Sequence, residues 1–290
     1  MSIWKKLTYR YQFLNAAERL IVINVLCFVV PFVLNTLLFL FQVPSSNVFS
    51  WLHLSADWSV WITRPWTIFT YSFLHSGFFH LFWNMLLLYY AGMFFLNLFQ
   101  RTTFYNVYFL GVLAGGLVFL LSYAIFPVFQ GLRPPMVGAS AGVMAVFVFI
   151  STYTPDQEIR LLFFNVKLKY VALAFVVLDV IQIPYGNAGG HLAHIGGAGL
   201  GFWYAKQLQN GKDIGAPFAQ MVQRVLQLFQ PSSPLKTVHR SKTKRSTAKP
   251  QRTNTEQQRI DEILDKISAS GYDSLSKEEK DILFRAGGNS

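Results

Sequence analysis

The sequence of 290 residues has little charge and almost no cysteine. Only 13% of its residues are charged, against roughly 25% in an ordinary soluble domain, whereas 52% are hydrophobic and 17% aromatic. The single cysteine, Cys27, excludes an intrachain disulfide and any metal site built from cysteines. This composition argues against a soluble globular protein and favours a membrane protein.

The few charges are concentrated towards the two ends of the chain. Residues 20–205 hold only six of the 25 basic residues and four of the 14 acidic ones. The net charge of +11 therefore belongs mostly to the ends. Because the basic residues are not clustered with aromatic ones on a soluble fold, we interpret them as a membrane-orientation signal and expect no nucleic-acid partner.

Long apolar runs predict the fold class. Crossing the hydrocarbon core of a bilayer, roughly 30 Å thick, takes about 20 apolar residues in a helix. The sequence therefore predicts an all-α, polytopic membrane protein with six transmembrane helices. The predicted spans are 20–42, 78–98, 104–126, 136–152, 168–184 and 189–206.

Lys and Arg in the loops predict the orientation. With a cytoplasmic N-terminus, the outer loops hold only Arg64 and Arg133, and the remaining basic residues lie inside. Both termini are then cytoplasmic, as an even number of spans requires. The long outer segment 43–79 carries four of the seven tryptophans, so we expect it to lie at the outer interface.

The composition divides the chain outside the predicted membrane domain, 20–206, into three segments. Residues 1–19 form a polar cytoplasmic segment. Residues 207–254 combine an amphipathic helix over 212–230 with a basic linker over 236–252, which has seven basic and no acidic residues. Residues 255–290 show two short helical patterns separated at Gly271, and we expect this small helical segment either to bind a cytoplasmic partner or to be a simple tether.

Polar side chains inside the spans are candidates for function, because such groups are costly in a membrane. His80 and Asn84 open the second span, Ser140 lies early in the fourth, and His194 lies early in the sixth. All four are then expected in one shallow layer near the outer face. A serine becomes a nucleophile when a base such as imidazole takes its proton, and fixed hydrogen-bond donors stabilise the resulting oxyanion.

At these residues the sequence resembles the rhomboid family of intramembrane serine proteases. The resemblance covers about residues 60–202 and consists of Arg64-Pro65-Trp66, His75-x4-His80-x3-Asn84, the segment from Gly111 to Gly116, Gly138-x-Ser140 and Ala193-His194-Ile195-Gly196-Gly197. It implies a catalytic dyad of Ser140 and His194, with His80 and Asn84 assisting at the oxyanion. Two residues depart from the usual family pattern: Ala141 stands where Gly is usual and Met144 where an aromatic residue is common.

The resemblance implies a protease that cuts transmembrane segments of other membrane proteins near the outer face, without metal, nucleotide or other cofactor. The six-span form suits a bacterial inner membrane. A catalytically silent relative that binds or escorts transmembrane helices remains the alternative, and a small-molecule transporter is a third reading. His191 and His194 also have a spacing that suits a metal site, but the only acidic residue near their depth is Asp179. Asp179 could instead orient a histidine as a third triad member, but we expect a structural role, because the family's mechanism is a dyad.

Overall fold

A computed structural model describes residues 3–42, 48–161, 163–229 and 254–287. The chain divides into two units, residues 1–230 and 231–290. The predicted basic linker, 236–252, lies outside the described residues.

The first unit is mainly helical, and its first half contains six α-helices and one short strand. They are α1 (Ile3–Phe13), α2 (Ala16–Leu40), β1 (Leu54–Ser55), α3 (Trp58–Thr63), α4 (Thr67–Thr70), α5 (Phe78–Leu98) and α6 (Arg101–Ile125). Helix α2 begins before the predicted residue 20 because Asn15 and Glu18 form a capping box, each side chain accepting from the other's backbone N–H at 2.8–2.9 Å. Helix α1 occupies the segment for which the sequence predicts only polar character.

The second half of this unit contains the remaining strands and four helices. They are β2 (Pro135–Met136), α7 (Ser140–Tyr153), β3 (Glu158–Leu161), β4 (Phe164–Lys167), α8 (Leu168–Gln182), α9 (Ala188–Gln209) and α10 (Ala216–Leu228). β1 pairs with β2, and β3 pairs with β4, both antiparallel. The two ladders lie in the segments between helices.

Four of the described helices are long and apolar enough to cross a membrane: α2, α5, α6 and α8 with the turn that follows it. Helix α7 has only 14 residues and begins at Ser140, four residues later than predicted. The reason is local, since Met136 pairs with Leu54 and Gly138 has a φ of +134°, which breaks the helix. Helix α9 is long, at 22 residues, but rich in glycine.

Helix α7 lies at the centre of the unit. All its residues from Ala141 to Ser151 are buried, and its main neighbours are α9, α6 and α5. Glycines allow this approach: a methyl group at Gly197 or Gly201 would collide with the backbone carbonyl of Ala141 or Ala145. Backbones thus meet directly along the interface between α7 and α9.

The segment before α5 is held together by aromatic and basic side chains. The Arg64 guanidinium lies 4.0 Å from the centre of the Trp51 ring and donates to the Ser50 carbonyl at 3.0 Å. Trp66 donates from Nε1 to the Trp51 carbonyl at 2.8 Å. These contacts fit an architectural role for Arg64.

The predicted amphipathic helix is α10. The Tyr204 hydroxyl donates to Asp213, whose carboxylate also accepts from the Gly215 N–H at 2.9 Å, and this fixes the start of the helix. Apolar residues of α10 and α6, together with Phe69, line a cavity of about 610 Å³. The apolar side of α10 therefore partly faces the helical body.

The described part of the second unit contains α11 (Asn254–Ser270) and α12 (Lys277–Gly287). They coincide with the two helical patterns in the sequence. Glu279 accepts from the Ser276 N–H at 2.7 Å and from Lys266 at 2.9 Å, which joins the two helices. Ile263 and Leu275 are buried between them.

Candidate active site

Ser140 is the first residue of α7. The chain enters through Gly138, whose N–H donates to the Tyr71 carbonyl at 3.0 Å and whose positive φ turns the backbone into the helix. The N–H groups of the first helical turn have no acceptor within the helix, so Ser140 stands among free backbone donors. A helix start of this kind favours developing negative charge.

His80 and Asn84 lie on one face of the first turns of α5. A methyl group at Gly138 would lie 2.9 Å from His80 Nε2 and 3.4 Å from Ser140 Oγ, so the imidazole and the hydroxyl flank the same point. His80 Nδ1 lies 3.0 Å from Ser76 Oγ. Asn84 donates one N–H to the His80 carbonyl at 2.8 Å, which leaves its second N–H for another acceptor.

His194 lies on the face of α9 that packs near the start of α7. The residue before it, Ala193, presents its carbonyl to Gly115 on α6, and Gly197, one turn later, rests on the Ala141 carbonyl. The Ala141 methyl also faces Gly115, which has no side chain to oppose it. The departure from glycine at position 141 is thus accommodated by a glycine on the neighbouring helix.

Asp179 of α8 contacts both histidines of α9. Its Oδ1 lies 2.7 Å from His191 Nδ1 and 2.8 Å from His194 Nδ1, and its side chain is only 9% exposed. The three ligand atoms lie within 4.8 Å of one another, so they could also hold a metal ion. The two short distances are those of hydrogen bonds.

His75 lies in the segment before α5 and is buried. Its ring packs edge-to-face on His80, with ring centroids 5.2 Å apart. His75 therefore supports the His80 ring from the side.

The fold brings the four sequence-predicted site residues together around the start of α7. His80 and His194 are close enough to interact electrostatically. In the part of the chain that the structure describes, Ser140 Oγ makes no hydrogen bond with His194. From the sequence, Asp179 was a candidate for orienting a histidine, although a structural role was favoured, and His191 was considered only as a metal ligand. The signals available were an acidic residue in an apolar span and a histidine three residues before His194.

A family model described as the Rhomboid domain matches residues 63–210. A second model, for a family of unknown function (DUF6576), matches residues 250–286. The first match contains all four site residues, and the second contains α11 and all but the last residue of α12.

Several curated proteins are similar to the chain over 137 residues. Presenilin-associated rhomboid-like protein A, mitochondrial, of Danio rerio is 29% identical, and the corresponding proteins of Bos taurus and Homo sapiens are 27% and 28% identical. The matched region covers 46% of this chain and 35% of each relative. The chain thus spans about a third of the length of the curated relatives it matches.

Proposed function

Because the chain belongs to the rhomboid family and is a multi-pass membrane protein, we propose that it is an intramembrane serine endopeptidase with Ser140 as nucleophile and His194 as general base. The observation that carries the proposal is the backbone contact of α9 with α7. Gly197 rests on Ala141, the residue after Ser140, and this contact brings the helix of the base against the helix of the nucleophile. Ser140 is the residue before Ala141, and His194 lies about one turn before Gly197, so both polar residues flank this contact.

The mechanism follows from these positions. His194 takes the proton of Ser140 Oγ as this oxygen attacks the scissile carbonyl carbon. The oxyanion accepts hydrogen bonds from the backbone N–H groups at the start of α7, from the second N–H of Asn84 and from His80. His194 then returns the proton to the leaving amine, and a water molecule, activated in the same way, hydrolyses the acyl-enzyme.

The substrates are transmembrane segments of other membrane proteins. An intact helix hides its peptide bonds, so a cleavable segment carries small or helix-weakening residues near the scissile bond. It enters sideways from the bilayer, between α5 and α8. Water reaches Ser140 from the outer face.

The central experiment replaces each member of the dyad. Ser140→Ala and His194→Ala should each abolish cleavage of a model transmembrane substrate by the purified protein, because both residues act in the same step. Both variants should elute as folded protein in detergent. Near-normal cleavage by either variant would contradict the dyad.

A second candidate function is a silent helix-binding protein that escorts transmembrane segments. The specific observation in its favour is that Ser140 and His194 make no hydrogen bond in the described structure, although such bonds are often long before substrate binds. A fluorophosphonate probe separates the two functions. The protease reacts at Ser140, whereas a silent protein captures a transmembrane peptide without reacting.

We propose a cell inner membrane as the location, because the six-span form suits it, and cytoplasmic termini, because of the distribution of Lys and Arg. The curated relatives are mitochondrial by name, so location needs its own test. In a Cys27→Ala background, cysteines near residues 130 and 187 should react with an impermeant thiol reagent from outside, and those near 160 and 250 should not. The reverse pattern would invert the orientation.

The C-terminal tail serves retention or a cytoplasmic partner and takes no part in the chemistry. The reason for this proposal is that every proposed site residue lies between residues 80 and 194. A chain truncated after Gln230 should cleave the model substrate at the normal rate. A folded but inactive truncation would make the tail part of the working enzyme.

A further inference from the structure

The geometry points to Asp179 as a positioning residue that fixes the His194 ring for its role as base, with His191 as the second donor that holds the carboxylate in place. The effect on catalysis rests on the proposed function. The hydrogen bonds of Asp179 are independent of that function, since they can be measured whether or not the protein is a protease.

The contacts of Asp179 determine which ring nitrogen of each histidine carries the proton. An ionised carboxylate can only accept hydrogen bonds. Asp179 Oδ1 lies at hydrogen-bond distance from Nδ1 of both histidines, so each ring must carry its proton on Nδ1. His194 Nε2 then has a free lone pair, which is the atom a general base needs.

Burial explains why two histidines share one oxygen. A charged carboxylate in an apolar span is costly unless donors surround it. His191 and His194 are three residues apart and lie on the same face of α9, so both rings can reach α8. With His191 as a second donor, the Asp179 carboxylate is held in the direction that fixes the His194 ring.

The arrangement differs from a metal centre in one measurable respect. A metal ion would take the lone pair of each Nδ1, and each ring would then carry its proton on Nε2. Hydrogen bonding to Asp179 requires the opposite tautomer. The position of the ring proton therefore distinguishes the two uses of the same three side chains.

The first experiment measures this tautomer in the full-length protein in detergent by ¹⁵N NMR of labelled histidines. The His194 signal is assigned by its loss in His194→Gln. We expect Nδ1–H in the wild type and loss of that preference in Asp179→Leu, which removes the acceptor and keeps an apolar surface for the membrane. Asp156→Leu is the matched control, because Asp156 also binds two basic side chains at 2.8–3.0 Å but lies in an exposed loop.

The second experiment measures substrate cleavage in the same variants. Asp179→Leu should lower kcat on the order of 10²-fold or more, in the direction of the roughly 10⁴-fold loss seen when a soluble triad loses its aspartate. Asp179→Glu, which keeps the acceptor, should recover part of both the rate and the tautomer. His191→Asn keeps a donor near the place of Nδ1 and should be milder than His191→Leu.

Three results would overturn the inference. The first is an unchanged His194 tautomer and rate in a folded Asp179→Leu variant. The second is a rate that falls without any change in tautomer, which would leave Asp179 with a structural role only. The third is one tightly bound zinc ion per wild-type chain that disappears in Asp179→Leu. Failure of the wild type to cleave or to react with the fluorophosphonate would count against the proposed function alone, since the tautomer is read independently.

Discussion

Helices α2 and α7 show how differently two apolar segments of this protein are used. Helix α2 has 25 residues and a high mean hydropathy of 2.4, yet most of its large side chains are exposed at the surface of the protein. Helix α7 has 14 residues, too few to span a bilayer by itself, yet it is buried from Ala141 to Ser151. The longer helix presents apolar side chains to lipid, and the shorter one carries the proposed nucleophile.

The difference has a physical cause. Lipid is as apolar as leucine, so burial against protein brings no hydrophobic gain within the membrane, and helices associate through close packing and hydrogen bonds. Small residues therefore mark the centre of the bundle, and large apolar residues mark its rim. A central helix need not reach both surfaces, because neighbouring helices and loops cover its ends.

The largest effect is expected from a substitution that blocks the backbone contact between α7 and α9. Gly197→Leu places a side chain against the Ala141 carbonyl, which cannot rotate away. The destabilisation should exceed the roughly 1–3 kcal/mol typical of overpacked cores, so we expect no folded protein by size exclusion in detergent. Gly199→Leu is the matched control: a methyl group there meets no atom within 4 Å. Normal folding of Gly197→Leu would show that the α7–α9 contact is not essential.

The next largest effect is expected on kcat, when a proposed oxyanion donor near the start of α7 is removed. Asn84→Ala should lower kcat by about 10²- to 10³-fold, the usual loss for one oxyanion donor. It should leave more activity than Ser140→Ala, since backbone donors at the start of α7 remain. A loss equal to that of Ser140→Ala, with lowered thermal stability, would instead assign Asn84 to structure through its bond to the His80 carbonyl.

The sequence predicted much of this arrangement, but not all of it. Hydropathy located α2, α5, α6 and α8, because each presents a long apolar surface to lipid. It misplaced the start of α7, since the pairing of Met136 with Leu54 is a contact between distant segments. The proposed nucleophile, base and oxyanion donors came from polar residues in the predicted spans and from the resemblance to the rhomboid family. Asp179 was a candidate for orienting a histidine, but it meets both His191 and His194 only because α8 packs beside α9. That contact depends on tertiary structure, which no local pattern encodes.

Two matched valine substitutions, one in α7 and one in α2, should differ by a smaller amount. Val146 in α7 is fully buried, whereas Val33 in α2 is 52% exposed. Because both residues are valine, replacement by alanine removes the same atoms from each. Val146→Ala should cost on the order of 1 to 2 kcal/mol through lost packing contacts, whereas Val33→Ala should be near neutral. Thermal unfolding in detergent measures both. Equal destabilisation would mean that α2 is packed as tightly as α7.

The smallest expected effect lies just after the C-terminal end of α7, at the base of the exposed hairpin of β3 and β4. Lys169 and Lys167 donate to Asp156 at 2.8 and 3.0 Å, and these bonds lower the pKa of that carboxyl to about 2. A lowered pKa in the folded state means that the ion pairs stabilise the hairpin above the ordinary pKa near 3.8, and that this contribution is lost as the pH falls towards 2. Asp156→Asn should therefore slightly speed hydrogen exchange in the hairpin at neutral pH, with no difference from wild type near pH 2. Because the groups are exposed, molar salt should also remove the difference in hydrogen exchange between Asp156→Asn and the wild type. A change in the packing of α7 in this variant would show that the exposed hairpin and the buried helix are not independent.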